Sequence, residues 1–157
     1  LPLYRVTLEN VKVPQSHILE GDFAPILAAM RVANAALAVG VANGALEYAR
    51  DYAKERQAFG VKIAQKQAIA FMLAEMATEI EAIRLLTWEA AWMLDAGKED
   101  AFTHAYLAAT GAADMAMMVT DRAVQVLGGH GYIREYPVEM WMRNGRGFAT
   151  FTGLAIV

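Results

Sequence analysis

Apolar positions recur at helical spacing along most of this chain. From about Pro25 to Arg56 nothing breaks that pattern, which at 1.5 Å per residue predicts on the order of 45 Å of helix. Asp22 is placed to cap its start, and Pro25 is tolerable in the first turn. Ala28, Ala29, Ala33, Ala36, Gly40, Gly44 and Ala45 crowd the segment with small side chains, which lower helix propensity at the glycines but let a second helix approach closely. The segment ends at Arg56-Gln57-Ala58-Phe59-Gly60, with Gly60 where a left-handed residue commonly follows a helix. A second helix is predicted from near Gln65 to about Ala96, stopping at Gly97. Its Ile69, Leu73, Met76, Ile80 and Ile83 follow a 4-3-4-3 spacing and form one seam, while Glu75, Glu79 and Arg84 face elsewhere. A third helix, rich in Ala and Met, spans about Asp100 to Val126 and reads as buried on most sides. It stops at Gly128-Gly129, and Pro137 suits the first position of a short fourth helix.

The first residues follow a different period. Tyr4, Val6 and Leu8 alternate with Arg5, Thr7 and Glu9, as in a half-buried strand, and Val11 and Val13 continue in a second register before Pro14. A lone hairpin's worth of strand is marginally stable. Residues 1–22 are therefore expected to end a preceding β domain or to form an extended arm, with the helical bundle over 23–157. The chain opens on Leu inside a strand-like pattern, which suggests a piece of something longer. The expected fold is all-α: an antiparallel up-down four-helix bundle with three long helices, a shorter C-terminal helix and a short N-terminal β-strand arm.

Composition narrows the function classes. At 157 residues the chain fits one domain with a real core. Apolar residues make up 57% of it, against roughly 45–50% in soluble domains, an excess that reads as surface hidden by oligomerisation. A membrane span needs roughly 18 or more apolar residues in a row; the longest uncharged run, Val32 to Leu46, contains Asn34 and Asn43, so no span is expected. The net charge of −3, with no basic block, gives no support to nucleic-acid binding. The absence of cysteine removes thiol catalysis and disulfides together. It suits an intracellular protein, cytoplasmic in a bacterium or in an organelle matrix.

Candidate chemistry is sparse residue by residue. His17, His104 and His130 each stand apart from any partner at metal-ligand spacing, so no metal is expected. Glu135 and Glu139 could form a di-carboxylate pair, but Glu139 also precedes Arg143 by four residues, the favourable order for a helical ion pair, and that reading is preferred. No activated-nucleophile set can be assembled. Gly128, Gly129 and Gly131 would let backbone approach a phosphate, although a glycine pair after a helix is more often a terminator. Arg56 and Phe59 could offer a phosphate partner and a stacking surface, and Arg56 equally suits a helix C-terminus.

Taken in order, the segments Glu55-Arg56-Gln57-Ala58-Phe59-Gly60, Gln67-Ala68-Ile69-Ala70-Phe71-Met72-Leu73-Ala74-Glu75-Met76, Gln125-Val126-Leu127-Gly128-Gly129-His130-Gly131-Tyr132 and Glu135-Tyr136-Pro137-Val138-Glu139 resemble the C-terminal helical domain of the acyl-CoA dehydrogenase family. The resemblance covers nearly the whole chain, and Leu8 to Pro14 resembles the last strands of the β domain that precedes this bundle. It implies FAD as cofactor, an acyl-CoA thioester as substrate of α,β-dehydrogenation, a homodimer or homotetramer built through the bundles, and an electron-transfer flavoprotein as partner. It further implies that Arg56 and Phe59 reach the FAD of a neighbouring subunit, that Gln67 hydrogen-bonds it, and that Gln125, Gly128 and Gly129 line its adenine and pyrophosphate region.

Two positions depart from the family's pattern. The glutamate that removes the substrate α-proton usually precedes the glycine of a Tyr-Glu-Gly-Thr segment; here that place is Thr152, in Phe151-Thr152-Gly153-Leu154, and the flavin-contacting threonine is Leu154. A threonine hydroxyl is too weakly basic for this step unaided. Some members carry the glutamate on the first long helix, before an arginine matching Arg31, where this chain has Met30. Two readings follow: an FAD-dependent domain without the usual base, or an assembly module that kept the oligomer interface without flavin chemistry.

Overall fold

The computed structural model describes residues 4–18 and 20–151. Most of them lie in four helices, α1 (Ala24–Glu55), α2 (Gln67–Asp95), α3 (Ala101–Leu127) and α4 (Val138–Phe151). The Ala24 N–H donates to Asp22 Oδ1 at 2.9 Å, and Pro25 sits in the first turn of α1, where its missing N–H leaves no bond unmade. One core cluster joins Ala49 and Ala53 of α1, Met76 of α2, Ala123 of α3 and Val138 of α4. A second joins Ala35 and Ala38, Ala90, Ala108 and Ala112, and Phe148 of the same four helices. Late α1 and α3 thus meet early α2 and α4, the up-down alternation expected. It also leaves α1 parallel to α3.

Alanine makes the α1–α3 approach possible. The buried positions of α1 are Ala28, Ala35, Ala38, Val39, Ala42, Ala45, Ala49 and Ala53, and they face a comparable run on α3 that includes Ala105, Ala108, Ala112, Ala116 and Ala123. Side chains this small let the two backbones close together. By length and composition alone α1 could cross a membrane; its alanine seam packed on α3 is that of a bundle core helix. Only part of the small-residue expectation holds. Ala28 and Ala45 are in the core, whereas Ala29, Ala33, Ala36 and Gly40 form an open stripe, because at about 100° per residue they fall on the other side of the helix.

The α2 seam is as its spacing predicts: Met76 and Ile80 are fully buried, and Ile69, Leu73 and Ile83 pack partly buried against the same core. Glu75 and Glu79 are exposed, but Arg84 turns inward enough to donate to Asn43 Oδ1 of α1 at 3.3 Å. α3 keeps an exposed side carrying Phe102, Tyr106, Asp114 and Asp121, so it is central to the bundle without being buried all round.

Two expectations are corrected. Tyr4 to Glu9 form no strand, and Tyr4, Val6 and Leu8 are exposed. Alternation stabilises a strand only against another sheet, and the described residues offer none at this end. Gly60 does not terminate α1, which stops at Glu55; Gln57–Ala58 (β1) and Val61–Lys62 (β2) pair antiparallel, and Gly60 lies in the turn between them. A 3₁₀ turn, Ile63–Gln65, then leads into α2.

Candidate functional site

One wall of the site is the end of α1. The Arg56 N–H donates to the Tyr52 carbonyl at 2.8 Å, and the Arg56 carbonyl accepts from the Ile63 N–H at 2.9 Å. The backbone is thereby held on both sides while the side chain is exposed. Among the described residues its guanidinium takes no ion pair; Asp51 nearby is occupied by Arg50 at 2.9 Å and Lys54 at 3.9 Å. The β1–β2 turn has Phe59 at φ 56° and Gly60 at φ 80°, the two left-handed residues of a type I′ hairpin. For phenylalanine that conformation costs about 1 kcal/mol. The ring is 94% exposed, with Lys66 Nζ 5.2 Å from its centroid.

The other wall is the end of α3. Gly128 adopts φ 59° and ψ −128°, a conformation open essentially to glycine, and starts a 3₁₀ turn, Gly128–Tyr132. Gly131 in this turn is buried on α3: a Cβ there would collide with the Val124 carbonyl and lie 2.9 Å from Val124 Cα. His130 Nδ1 is 2.8 Å from Tyr52 Oη. Its ring stacks on Tyr136 at 4.9 Å and 8°, and Tyr52 meets both rings edge-on.

Between the walls lies a cleft of about 320 Å³ lined by Tyr52, Arg56, Ala58, Ile63, Val126, Leu127, Gly128, Gly129 and His130. It brings together Arg56, Gly128 and Gly129 of the residues singled out from sequence. Phe59, Gln67 and Gln125 are exposed outside its lining. Thr152 and Leu154 lie outside the described residues, and Met30 is exposed on α1. A second, larger cleft of about 570 Å³ shares Tyr52, Arg56 and His130 and extends over Tyr48, Asp51, Glu55 and Tyr136.

The electrostatics at this end are mixed. Parallel α1 and α3 both direct their partially negative C-termini here, while α2 and α4 start here with the opposite polarity. Besides Arg56, the smaller cleft's lining has the hydrogen-bonded Tyr52 and His130, glycine backbone, and the apolar Ala58, Ile63, Val126 and Leu127. A guanidinium offers paired donors to phosphate oxygens, and no Cβ blocks the backbone at Gly128 or Gly129, where added carbons would meet only open space. A guanidinium beside unobstructed glycine backbone is chemically compatible with an anionic group such as that of a dinucleotide.

Glu139 is engaged elsewhere. Its carboxylate accepts from Arg143 Nε at 2.8 Å and Nη2 at 3.1 Å, and those hydrogen bonds, with the Arg143 charge, hold its pKa below the usual carboxylate value. The ion-pair reading therefore holds against a Glu135–Glu139 acid/base pair. His104 Nδ1 contacts the Asp100 carbonyl at 3.1 Å, a satisfied helical histidine. Sequence reasoning passed over Tyr52, Tyr136 and the role of His130. The available signal was that Tyr52 precedes Arg56 by one helical turn and so shares its face.

The fold is a helical bundle with Arg56 and the Gly128–Gly129 turn lining a cleft at one end. The family model described as "Acyl-CoA dehydrogenase, C-terminal domain" matches residues 24–155, and the chain belongs to that family. It is 44% identical over 151 residues to cyclohex-1-ene-1-carbonyl-CoA dehydrogenase of Geobacter metallireducens, covering 92% of this chain and 40% of the relative. It is 40% identical over 158 residues to the caffeyl-CoA reductase-Etf complex subunit CarC of Acetobacterium woodii, covering 97% and 41%. Among solved structures, the glutaryl-coenzyme A dehydrogenase complex with glutaryl-CoA superposes with a TM-score of 0.82 at 33% identity, over 93% of this chain and 38% of that one. The chain thus spans about two fifths of the length of these relatives, the part formed by their C-terminal domain. Members of the family are FAD-dependent flavoproteins.

Proposed function

We propose that this chain is the domain that contacts FAD and forms the oligomer in an enzyme that desaturates acyl-CoA thioesters between Cα and Cβ. The observation that carries the reading is Arg56, which takes no ion pair among the described residues, sharing one cleft with Gly128 and Gly129. FAD, when bound, would supply the acceptor for the hydride leaving Cβ, and the Cα proton would go to a base other than the residues at the family's two usual positions, which are Thr152 and Met30 here. Arg56 would hold the pyrophosphate through its guanidinium, and Gly128 and Gly129 would leave room for it beside the backbone. Phe59, Gln67 and Gln125, exposed around the cleft, present a ring face and two amides to a dinucleotide carried by a neighbouring copy. Leu37, Leu85, Trp88 and Trp92 are exposed on α1 and α2, an apolar surface suited to closing a homodimer or homotetramer. The relationship to a subunit of a reductase-Etf complex supports an electron-transfer flavoprotein as a redox partner.

A second reading, an assembly module without flavin chemistry, is favoured by Thr152 and Leu154 in the catalytic segment and by the lack of a carboxylate at Met30. Titration of the full-length protein with FAD separates the two. We expect flavin absorbance in the purified protein and an FAD affinity that falls about tenfold or more in Arg56→Ala, the loss of a charge-assisted contact. A colourless protein that takes up no FAD selects the assembly module.

A further inference from the structure

We propose that Tyr52 and His130 are positioning residues that set the width of the dinucleotide cleft, an inference that rests on the flavin reading above. The two walls come from distant parts of the chain. Arg56 follows α1, and Gly128 and Gly129 follow α3. Side chains join them through one hydrogen bond among the described residues, Tyr52 Oη to His130 Nδ1 at 2.8 Å. With the imidazole proton on Nε2, the phenol O–H donates to Nδ1.

Each end of this bond is tied to the group it would position. The Tyr52 carbonyl accepts the Arg56 N–H at 2.8 Å, so a shift of Tyr52 carries the base of the arginine with it. His130 is covalently next to Gly129, and its ring is held nearly parallel against Tyr136 at 4.9 Å, which fixes the direction in which Nδ1 points. Packing does not fix the first two residues of the turn: nothing lies within 4 Å of a Cβ built at Gly128 or Gly129, and glycine backbone has few steric limits. Without the bond, the turn adopts more conformations relative to α1, and binding must restrict them again.

The test uses the full-length protein and three substitutions, with FAD affinity from flavin fluorescence quenching and amide hydrogen exchange across residues 128–132. Tyr52→Phe removes the hydroxyl alone; we expect about fivefold weaker FAD binding, the value of one neutral hydrogen bond, with faster exchange in the turn and unchanged helical circular dichroism. His130→Leu is expected to match that loss. His130→Asn, whose amide puts a polar atom near the place of Nδ1, is expected to stay close to the parent protein. In a Tyr52→Phe background, Asn and Leu at position 130 should become equivalent, because neither has the hydroxyl to meet.

Equal losses for His130→Asn and His130→Leu in the parent background would show that the ring's bulk alone matters and would overturn the proposal. So would unchanged affinity in Tyr52→Phe while Arg56→Ala still weakens FAD. If Arg56→Ala has no effect either, or the parent protein binds no FAD, the flavin reading fails and this inference fails with it.

Discussion

The glycines that follow α2 and α3 share a positive φ and have very different surroundings. Gly97 has φ 60° and Gly128 φ 59°. After α2, the Gly97 N–H donates to the Leu94 carbonyl and the Lys98 N–H to the Met93 carbonyl, a Schellman pattern that satisfies the helix end with backbone alone. Every residue from Asp95 to Asp100 is exposed there. After α3, the chain instead enters a 3₁₀ turn with Gly131 pressed on Val124 and His130 bonded to Tyr52. One glycine stops a helix. The other stops a helix and frames a cleft, and the difference comes from residues far away in sequence.

The largest expected separation between the two comes from alanine substitution at each turn. Gly131→Ala must displace the Val124 backbone, which as overpacking should cost about 2 kcal/mol or more and should weaken FAD binding as well. Gly97→Ala has open space around it and pays only for left-handed backbone, about 1 kcal/mol, with FAD affinity unchanged. Chemical denaturation and FAD titration of both variants would check this pair; a loss of FAD affinity in Gly97→Ala would break the comparison.

The smallest effect concerns charge beyond the second turn, where Glu139 accepts two hydrogen bonds from Arg143. Because the folded-state pKa of Glu139 is lowered, its contribution is fully present above the unfolded carboxylate value and is lost as pH falls through the lower folded value. Arg143→Met should therefore lower the thermal midpoint slightly near neutral pH, and by nothing measurable once the carboxyl is protonated in both states. Melting curves at both extremes of pH give the comparison. A midpoint difference that persists in acid would assign the effect to packing of the arginine stem.

What the chain reveals in advance follows the range of the interaction. The α2 seam, the Asp22 hydrogen bond just before α1 and the Glu139–Arg143 pair were legible because each is fixed by neighbours within a turn or two of helix. The strand expected over Tyr4 to Leu8 was not realised, since its alternation requires a partner sheet that the described residues do not supply. Gly60 was misassigned because a glycine after a helix and a glycine in a type I′ hairpin look alike; the short pairing of Gln57 with Lys62 and Ala58 with Val61 decided it. Arg56, Gly128 and Gly129, singled out from ordered motifs, share one cleft. The Tyr52–His130 bond, spanning 78 positions, has no local signature at all.

The alanine seam of α1 also bears on how this domain can change over generations. A single-base change in an alanine codon yields Val, Thr, Ser, Pro, Gly, Asp or Glu. At Ala35, Ala38, Ala42, Ala45, Ala49 and Ala53, all at 0% exposure, nearly all of these add volume or a polar group to a closed helix contact, and proline breaks the helix. Glycine is the smaller alternative, and it costs about 1 kcal/mol of helix propensity. Almost every first mutational step along this stripe is therefore unfavourable, so sequence drift on α1 is channelled to the face that α3 does not touch.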